Sequence, residues 1–275
     1  MIVLGGSSRQ SLAALRVALD NTLNGVSAGD ASAISSDLFK ALVAIDSSTG
    51  LRRALTDSAR DAASKSDLVS DLFKKTIGAK ALSLLGTAVS LRWSSPSGIA
   101  DAIEQIAVEA EAAAANLSNS LDQVQNEVFT FSKLLIENPD LRTALSDRAQ
   151  SPDSKQALLA SIFGGKFASS TSNLLSHSVE GRRARSIEKT IEAYSHAVTA
   201  RRSRVNAHIK SSIALSDGQA KKLADSLTKQ IGQPVHLNIE IDPNVLGGIS
   251  IRFGDEVIDG TIANRLAEAS RALVS

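Results

Sequence analysis

The sequence predicts a mainly α-helical protein that ends in a small α+β domain. Hydrophobic residues make up 43% of the chain and aromatic residues only 3%, so the core is built mostly from Leu, Ile, Val and Ala, which favours helices. Apolar residues recur at helical spacing as far as Arg204 and at strand spacing beyond it. A helical segment also occurs twice, 90 residues apart.

Composition excludes several classes of protein. The chain has 275 residues, enough for about two domains. Its 30 basic and 29 acidic residues leave a net charge of +1, so the whole molecule has no field that attracts nucleic acid or anionic lipid. Without Cys it has no disulfide, thiol nucleophile or thiolate metal site. No signal peptide and no apolar run of about 20 residues is present, so we expect a soluble protein of a reducing compartment.

The repeat is the strongest internal signal. Residues 51–73 match residues 141–163 at 10 of 23 positions without a gap, where chance would give about two. The same offset aligns Leu84, Leu85, Val89 and Arg92 with Leu174, Leu175, Val179 and Arg182. We therefore predict two copies of one helical bundle, with domains at residues 1–115, 116–204 and 205–275.

Helical spacing of apolar residues defines the elements of the first copy. Asp30 and Ser64 are the predicted N-caps of the second and fourth helices. The predicted helices lie near residues 8–24, 31–46, 50–60, 64–76 and 79–92.

The segment from Pro96 to Ile136 has apolar residues at steps of three and four throughout. Either it forms one helix of about 41 residues, shared by the two bundles, or it breaks near residues 116–119. The overlapping stretch from Trp93 to Ser132 lacks Lys and Arg, and a solvated acidic face is the favoured interpretation of its carboxylates. These acids are Asp101, Glu104, Glu109, Glu111, Asp122 and Glu127.

The second copy continues through predicted helices near residues 139–149, 154–164, 168–181 and 184–205. The last of these is strongly basic, which indicates a solvated face or a complement to an acidic protein partner. A nucleic-acid-binding or regulatory helix over residues 182–204 is the alternative, although aromatic residues for base stacking are nearly absent. Its cations are Arg182, Arg183, Arg185, Lys189, Arg201, Arg202 and Arg204.

Strand-like alternation begins at Val205. Ser216 and Gln219 form a capping box for a helix that Gly232 ends. Strands follow at residues 235–241, 249–253 and 256–258, and a final helix carries Ile262, Leu266 and Leu273. The predicted order of this domain is β-α-β-β-α.

No motif for catalysis, a metal or a cofactor is convincing. Gly164-Gly165-Lys166 lacks the first glycine and the hydroxyl residue of a phosphate-binding loop. The four histidines do not have metal-ligand spacing. Asp242, Asp255 and Asp259 could form a carboxylate site in an enzyme, but each lies where a turn or a helix cap needs an acceptor, which favours a structural role.

The segment from Asp242 to Thr261 closely resembles the C-terminal signature of the ATP synthase delta subunit family, whose mitochondrial relative is the oligomycin-sensitivity-conferring protein. The resemblance covers roughly residues 121–273, and residues 8–15 resemble the opening helix of the family. The chain departs from an ordinary delta subunit in its duplicated bundle, as in larger actinobacterial members. The signature residues have structural roles; they are Asp242, Pro243, Gly247, Gly248, Gly254, Asp255, Asp259 and Gly260.

This resemblance implies a non-catalytic connector in the peripheral stalk of a proton-translocating F-type ATP synthase. In the family, the helical bundle receives the N-terminal helix of an alpha subunit, and the C-terminal domain holds the b stalk. We therefore expect one copy per complex, no cofactor, no nucleic acid, no membrane insertion, and a peripheral position on the cytoplasmic face of the plasma membrane.

The resemblance also suggests contact residues on the first and fifth helices of a bundle. Ordinary core residues are the alternative for this set, and Leu174, Leu175 and Val179 of the second copy are a competing groove. The expected alpha-subunit contacts are Leu12, Leu15, Leu19, Leu82, Leu85 and Val89, and the expected b-subunit contacts are Ile262, Leu266 and Leu273.

Overall fold

The computed structural model describes residues 6–147, 149–180, 185–202, 205–231, 235–242, 248–253 and 256–259. The chain forms two compact units that meet between Arg201 and Arg202, close to the predicted boundary after residue 204. The first unit is helical and the second contains a small sheet, so the mainly α-helical class with a C-terminal α+β domain is confirmed.

Eleven helices are described in the first unit. Their limits follow the predicted ones within a few residues because the apolar positions and the caps agree. They are α1 Gly6–Leu23, α2 Ala28–Ser47, α3 Thr49–Thr56, α4 Ala62–Phe73, α5 Ala79–Ser90, α6 Pro96–Leu117, α7 Leu121–Glu137, α8 Pro139–Ser146, α9 Pro152–Phe163, α10 Ser169–Glu180 and α11 Ile187–Arg202.

The repeat in the sequence is matched by a repeat in the helices. Helices α3, α4 and α5 begin and end 90 residues before α8, α9 and α10. Their local chemistry is also repeated: the side chains of Asp61 and Ser151 accept hydrogen bonds from the backbone N–H groups of Ser64 and Ser154, each at the start of its helix. We call α1–α5 the first repeat and α6–α10 the second.

Two predicted N-caps lie one turn too far along the chain. Ser27 caps α2, and Asp30 is its partner in a capping box rather than the cap. Likewise Asp61 caps α4 and Ser64 donates to it. In both cases a polar residue also stands three positions before the predicted cap. That earlier residue is the cap, so the helix begins earlier than predicted.

Helix α6 lies at the centre of the unit. It packs against α1, α2, α3 and α5 of the first repeat and against α7 and α10 of the second. One hydrophobic core extends through both repeats, so the predicted division at residues 115/116 falls inside this unit.

The helix of about 41 residues is not formed, and the alternative of a break is confirmed. Helix α6 ends at Leu117 and α7 begins at Leu121. Asn119 lies between them with φ 55°, a left-handed conformation that Asn adopts more easily than most residues.

The prediction of a solvated acidic face is wrong for the three glutamates of α6. Glu104, Glu109 and Glu111 are 3%, 0% and 2% exposed. Each has a polar partner on another helix or on the segment before α11, which offsets the cost of burying its charge. These partners lie about 60–90 residues away in the sequence, beyond the reach of any local pattern.

The second unit contains β1 Val205–Ser211, α12 Asp217–Ile231, β2 Val235–Ile241, β3 Ile249–Phe253 and β4 Glu256–Asp259. The described elements run β-α-β-β-β, so the predicted β-α-β-β-α order counts one strand too few. The strand order is β2-β1-β3-β4, with β1 parallel to β2 and antiparallel to β3, and with β3 antiparallel to β4. Ile209, Leu227 and Ile251 form its buried centre. The Ser216–Gln219 capping box is confirmed, and the predicted final helix lies outside the described residues.

Candidate partner-binding surfaces

Helices α1 and α5, which carry the predicted alpha-subunit contacts, pack against each other. Hydrogen bonds fix the start of α1 to the chain that follows α5. The Ser8 backbone and the Ser94 backbone each donate to the other residue's hydroxyl, at 3.3 and 2.9 Å, and the Ser11 hydroxyl donates to the Arg92 carbonyl at 2.5 Å. The two helices are therefore held in a fixed relation by polar contacts as well as by the core.

The predicted contact residues lie between these helices but point into the core. Leu15, Leu19 and Leu85 are fully buried, Leu12 and Val89 are 6% and 1% exposed, and Leu82 is half-buried. The structure brings the six together as core residues, the alternative that the sequence left open. A partner can touch this helix pair without disturbing the fold only on its outer side.

The outer side of α1 carries small and apolar residues that sequence reasoning missed. Ala13, Ala14 and Val17 are exposed, Val17 at 56%. On α5, Leu82 and Gly86 are half-buried at i,i+4 spacing. The signal was present in the sequence, because residues 13 and 17 follow a helical step on the side away from Leu12, Leu15 and Leu19.

The corresponding helix pair of the second repeat is closed. Leu174, Leu175 and Val179 are at most 2% exposed. Helix α6, the counterpart of α1, buries 16 of its 22 residues, whereas α1 buries 7 of 18. The competing groove therefore offers far less surface to a partner than α1 and α5 do.

The basic helix has partners within the chain. Arg185 pairs with Glu104 on α6, and Arg201 pairs with Asp20 on α1. The side chains of Arg185 and Arg201 are only 19% and 12% exposed. Acidic residues of the same chain therefore pair with part of the basic segment. Arg185 and Arg201 do not belong to a fully solvated face. Arg182, Arg183 and Arg204 lie outside the described residues.

A second contact joins the repeats through an aromatic stack. The centroid of the Phe39 ring on α2 lies 4.1 Å from that of the His177 ring on α10 and 6.0 Å from that of the Tyr194 ring on α11. Burial raises the pKa of Glu180, but hydrogen bonds with His177 and Gln156 outweigh it and hold the pKa below its ordinary value. The end of α10 therefore contacts the first repeat through His177, and hydrogen bonds to Glu180 fix the polar side chains there.

The features considered for chemistry have structural contacts. The Lys166 ammonium donates to the Ile162 carbonyl at 2.9 Å and so caps the end of α9. This contact gives the lysine of Gly164-Gly165-Lys166 a structural role. The described residues contain no cluster of His, Asp and Glu that fits a metal ion. Nor does any described helix combine the length and hydropathy that a bilayer-spanning segment needs.

The C-terminal signature is described in part. Asp242 lies 3.7 Å from Lys210, and its N–H donates to the Ser211 carbonyl. Gly248 has φ 82°, where glycine is favoured. Asp259 ends β4 opposite Ser250. The remaining predicted residues lie outside the described part of the chain: Pro243, Gly247, Gly254, Asp255, Gly260, Ile262, Leu266 and Leu273.

Comparison with known proteins agrees with these features. The family model of the ATP synthase delta (OSCP) subunit matches residues 108–273, more than half of the chain. A chain of the Toxoplasma gondii mitochondrial ATP synthase hexamer is 19% identical and covers 61% of this chain and 97% of its own, but its TM-score of 0.28 is too low to support any structural conclusion.

Curated relatives match nearly the full length. "ATP synthase subunit delta" of Streptomyces coelicolor is 37% identical over 270 residues, 98% of both chains. The protein of the same description from Thermobifida fusca is 36% identical over 268 residues, again 98% of both chains. The duplicated repeat thus lies within the length these relatives share, and the chain belongs to the ATP synthase delta (OSCP) subunit family.

Proposed function

We propose that the chain is a non-catalytic connector of the peripheral stalk, joining the catalytic head of a proton-translocating F-type ATP synthase to the b stalk. Family membership supports the complex. One structural observation carries the connector role: two compact units, each with its own core, lie on one chain. Such a chain has separate surfaces for two partners, at the cytoplasmic face of the membrane and in one copy per complex.

The helical unit is suited to bearing a load. Helix α6 is packed by both repeats, and buried ion pairs join it to α1 and to the segment that leads into α11. Because removing one partner of a buried pair leaves an uncompensated charge, local opening of these contacts is costly. Torque on the catalytic head would therefore meet a continuous core rather than a flexible joint between bundles.

The alpha-subunit helix docks on the outer side of α1 and α5 in the first repeat. Helix-in-groove binding uses apolar anchors on accessible surface, which favours Ala13, Val17 and the half-buried Leu82. The second repeat is disfavoured, because its equivalent of α1 is enclosed on nearly all sides.

A pair of matched variants tests this assignment. Val17 and Val43 are both exposed, at 56% and 43%, but Val17 lies on α1 and Val43 on α2. We expect Val17→Glu to reduce binding of the purified catalytic head at least tenfold, about 1.4 kcal/mol, and Val43→Glu to leave it unchanged. Surface plasmon resonance with the full chain measures both. Equal binding by the two variants would overturn the docking site.

The C-terminal unit holds the b stalk, with Ile262, Leu266 and Leu273 as the proposed contacts. Leu266→Glu should abolish pull-down of a soluble b-stalk fragment while binding of the catalytic head persists, because the helical unit has a separate core. Head binding controls for the helical unit, and circular dichroism of the variant controls for folding of the C-terminal unit. If the Leu266→Glu variant still bound the b-stalk fragment, Leu266 would be excluded as a b-subunit contact.

The nucleic-acid alternative is not favoured. Arg185 and Arg201, which that hypothesis would place on phosphates, are paired with Glu104 and Asp20 and mostly buried. Phosphate contacts need accessible cations.

A further inference from the structure

An open groove of about 410 Å³ lies at one end of the first repeat, next to the Ser94 residue that bonds the start of α1. Its walls come from the end of α3, the turn before α4 and the segment that leads into α6. This volume falls within the range of sites that bind small molecules or side chains. The lining includes Arg53, Asp57, Arg60, Trp93 and Ser95.

The groove has two cations without a carboxylate partner. Arg53 and Arg60 are exposed, and among the described residues no carboxylate lies within ion-pair distance of either. Asp57, an acid in the same lining, accepts a hydrogen bond from the Ala59 N–H at 2.9 Å and so is engaged with the local turn. The start of α6 at Pro96 opens onto the same space and adds partial positive charge.

An apolar surface accompanies these charges. The Trp93 indole N–H donates to the Ala88 carbonyl at 2.8 Å, which fixes the half-buried ring beside the groove. Ser58, Ser94 and Ser95 are also among the lining residues. Fixed aromatic surface next to arginine is the composition that protein interfaces enrich.

The second repeat does not have arginine at these two positions. At the 90-residue offset, Thr143 and Gln150 stand where the first repeat has Arg53 and Arg60, whereas its own cation, Arg148, stands at the position of Ser58. Neutral residues therefore satisfy the helix and turn at the positions of Arg53 and Arg60. The fold does not require a cation at either position, which leaves both guanidinium groups available to a partner.

We propose that this groove binds an acidic segment of a partner polypeptide, whose carboxylates pair with Arg53 and Arg60 and whose apolar side chain packs on Trp93. Charge complementarity selects this occupant, because the unpaired guanidinium groups present planar donors that match carboxylates. The interaction is independent of the proposed head and stalk contacts, so either proposal can fail alone.

The probe is a short fluorescein-labelled peptide rich in glutamate with a single leucine, and fluorescence anisotropy measures its affinity for the full chain. We expect the double variant Arg53→Thr/Arg60→Gln, which copies the second repeat at these two positions only, to bind about tenfold more weakly. The matched control Lys75→Gln/Lys80→Gln removes the same charge from exposed positions elsewhere and should bind within about twofold of the unaltered chain. Circular dichroism confirms folding of each variant.

Three results would overturn the proposal. Equal weakening by the lysine control would show a general charge effect, and equal binding of a glutamine version of the peptide would exclude carboxylate recognition. Displacement of the peptide by inorganic phosphate at the same concentration as by unlabelled peptide would identify a small-anion site instead. Wild-type binding that weakens with added salt, and that the arginine variant loses, supports it.

Discussion

Helices α2 and α7 occupy the same place in the two repeats, yet their surroundings differ. Phe39 on α2 is 2% exposed and stacks on His177, whereas Phe129, its counterpart 90 residues later, is 55% exposed. Phe39 lies against α10 and α11, whereas the contact described for the Phe129 ring is the Lys133 ammonium of its own helix, 4.7 Å from the ring centroid. Duplication therefore reproduces helices, but the position of each copy decides which faces are core.

The first helices show the opposite difference. Helix α1 is open to solvent on one side, while α6, its counterpart, is enclosed by helices of both repeats. Each repeat thus exposes a face that the other buries. Substitutions at equivalent positions should therefore have unequal effects, and that inequality can be measured.

The largest difference is expected at the two phenylalanines. Phe39→Ala should lower the free energy of unfolding by about 3–5 kcal/mol, because it leaves a cavity beneath α10 and α11. Phe129→Ala should change it by less than about 0.5 kcal/mol, since the ring is mostly in water. Urea denaturation followed by circular dichroism measures both. Similar losses for the two variants would contradict the burial difference.

The next effect concerns the ion pair that holds α11 on the first repeat. Arg201→Ala should cost about 2–4 kcal/mol, because it removes the guanidinium that pairs with the Asp20 carboxylate, which is only 6% exposed. Lys74→Ala removes an exposed partner of Asp71 and should cost at most about 1 kcal/mol. Adding Asp20→Asn to Arg201→Ala should recover part of the loss. No recovery in this double-mutant cycle would argue against direct pairing.

A smaller effect is expected at the turns between the first two helices of each repeat. Gly25, with φ 69°, lies in the α1–α2 turn, and Asn119, with φ 55°, lies in the α6–α7 turn. Asn119→Ala should cost about 1 kcal/mol because alanine disfavours this conformation, whereas Asn119→Gly should be neutral or slightly stabilising. Thermal unfolding of the two variants provides the measurement. Alanine and glycine behaving alike would show that the turn is not constrained.

The smallest effect separates the two repeats by pH. Hydrogen bonds from the Ser64 backbone and side chain lower the pKa of Asp61 below its ordinary 3.8, whereas the equivalent cap, Ser151, cannot ionise. Because the folded state favours the charged form, this cap's contribution is complete above the ordinary pKa and is lost as pH falls through the lowered value. The Ser64 amide shift should therefore titrate with acid, and the Ser154 amide should not.

The variant Asp61→Ser supplies the control for this titration. It gives the first repeat the second repeat's cap, so the pH dependence of the Ser64 amide should disappear while its hydrogen bond persists. Titration that survives this substitution would have to come from another acid.

Sequence predicted the helices well because their signals are local. Apolar steps of three and four predicted the helices, including the start of α5 at Ala79, and alternation of apolar residues predicted the strands from β1 to β4. The repeat offset then predicted the second copy from the first. These features depend on neighbours within a few residues, which the sequence displays directly.

Burial of charge could not be predicted in this way. Glu104 and Glu109 looked solvated because no cation lies near them in sequence, but Arg185, on the segment before α11, and Arg16, on α1, pair with them. Burial of the predicted alpha-subunit contacts could not be predicted for a related reason. Spacing identifies an apolar face, such as Leu12, Leu15 and Leu19, but it does not say whether the chain or a partner covers that face.

The connector role is tested most directly by native mass spectrometry of the full chain mixed with a catalytic head that lacks its own delta subunit and with a soluble b-stalk fragment. We predict a ternary complex with one copy of the chain, and loss of the stalk alone with Leu266→Glu. If the chain bound neither partner, or if the head and the stalk fragment bound each other without it, the result would contradict the connector role.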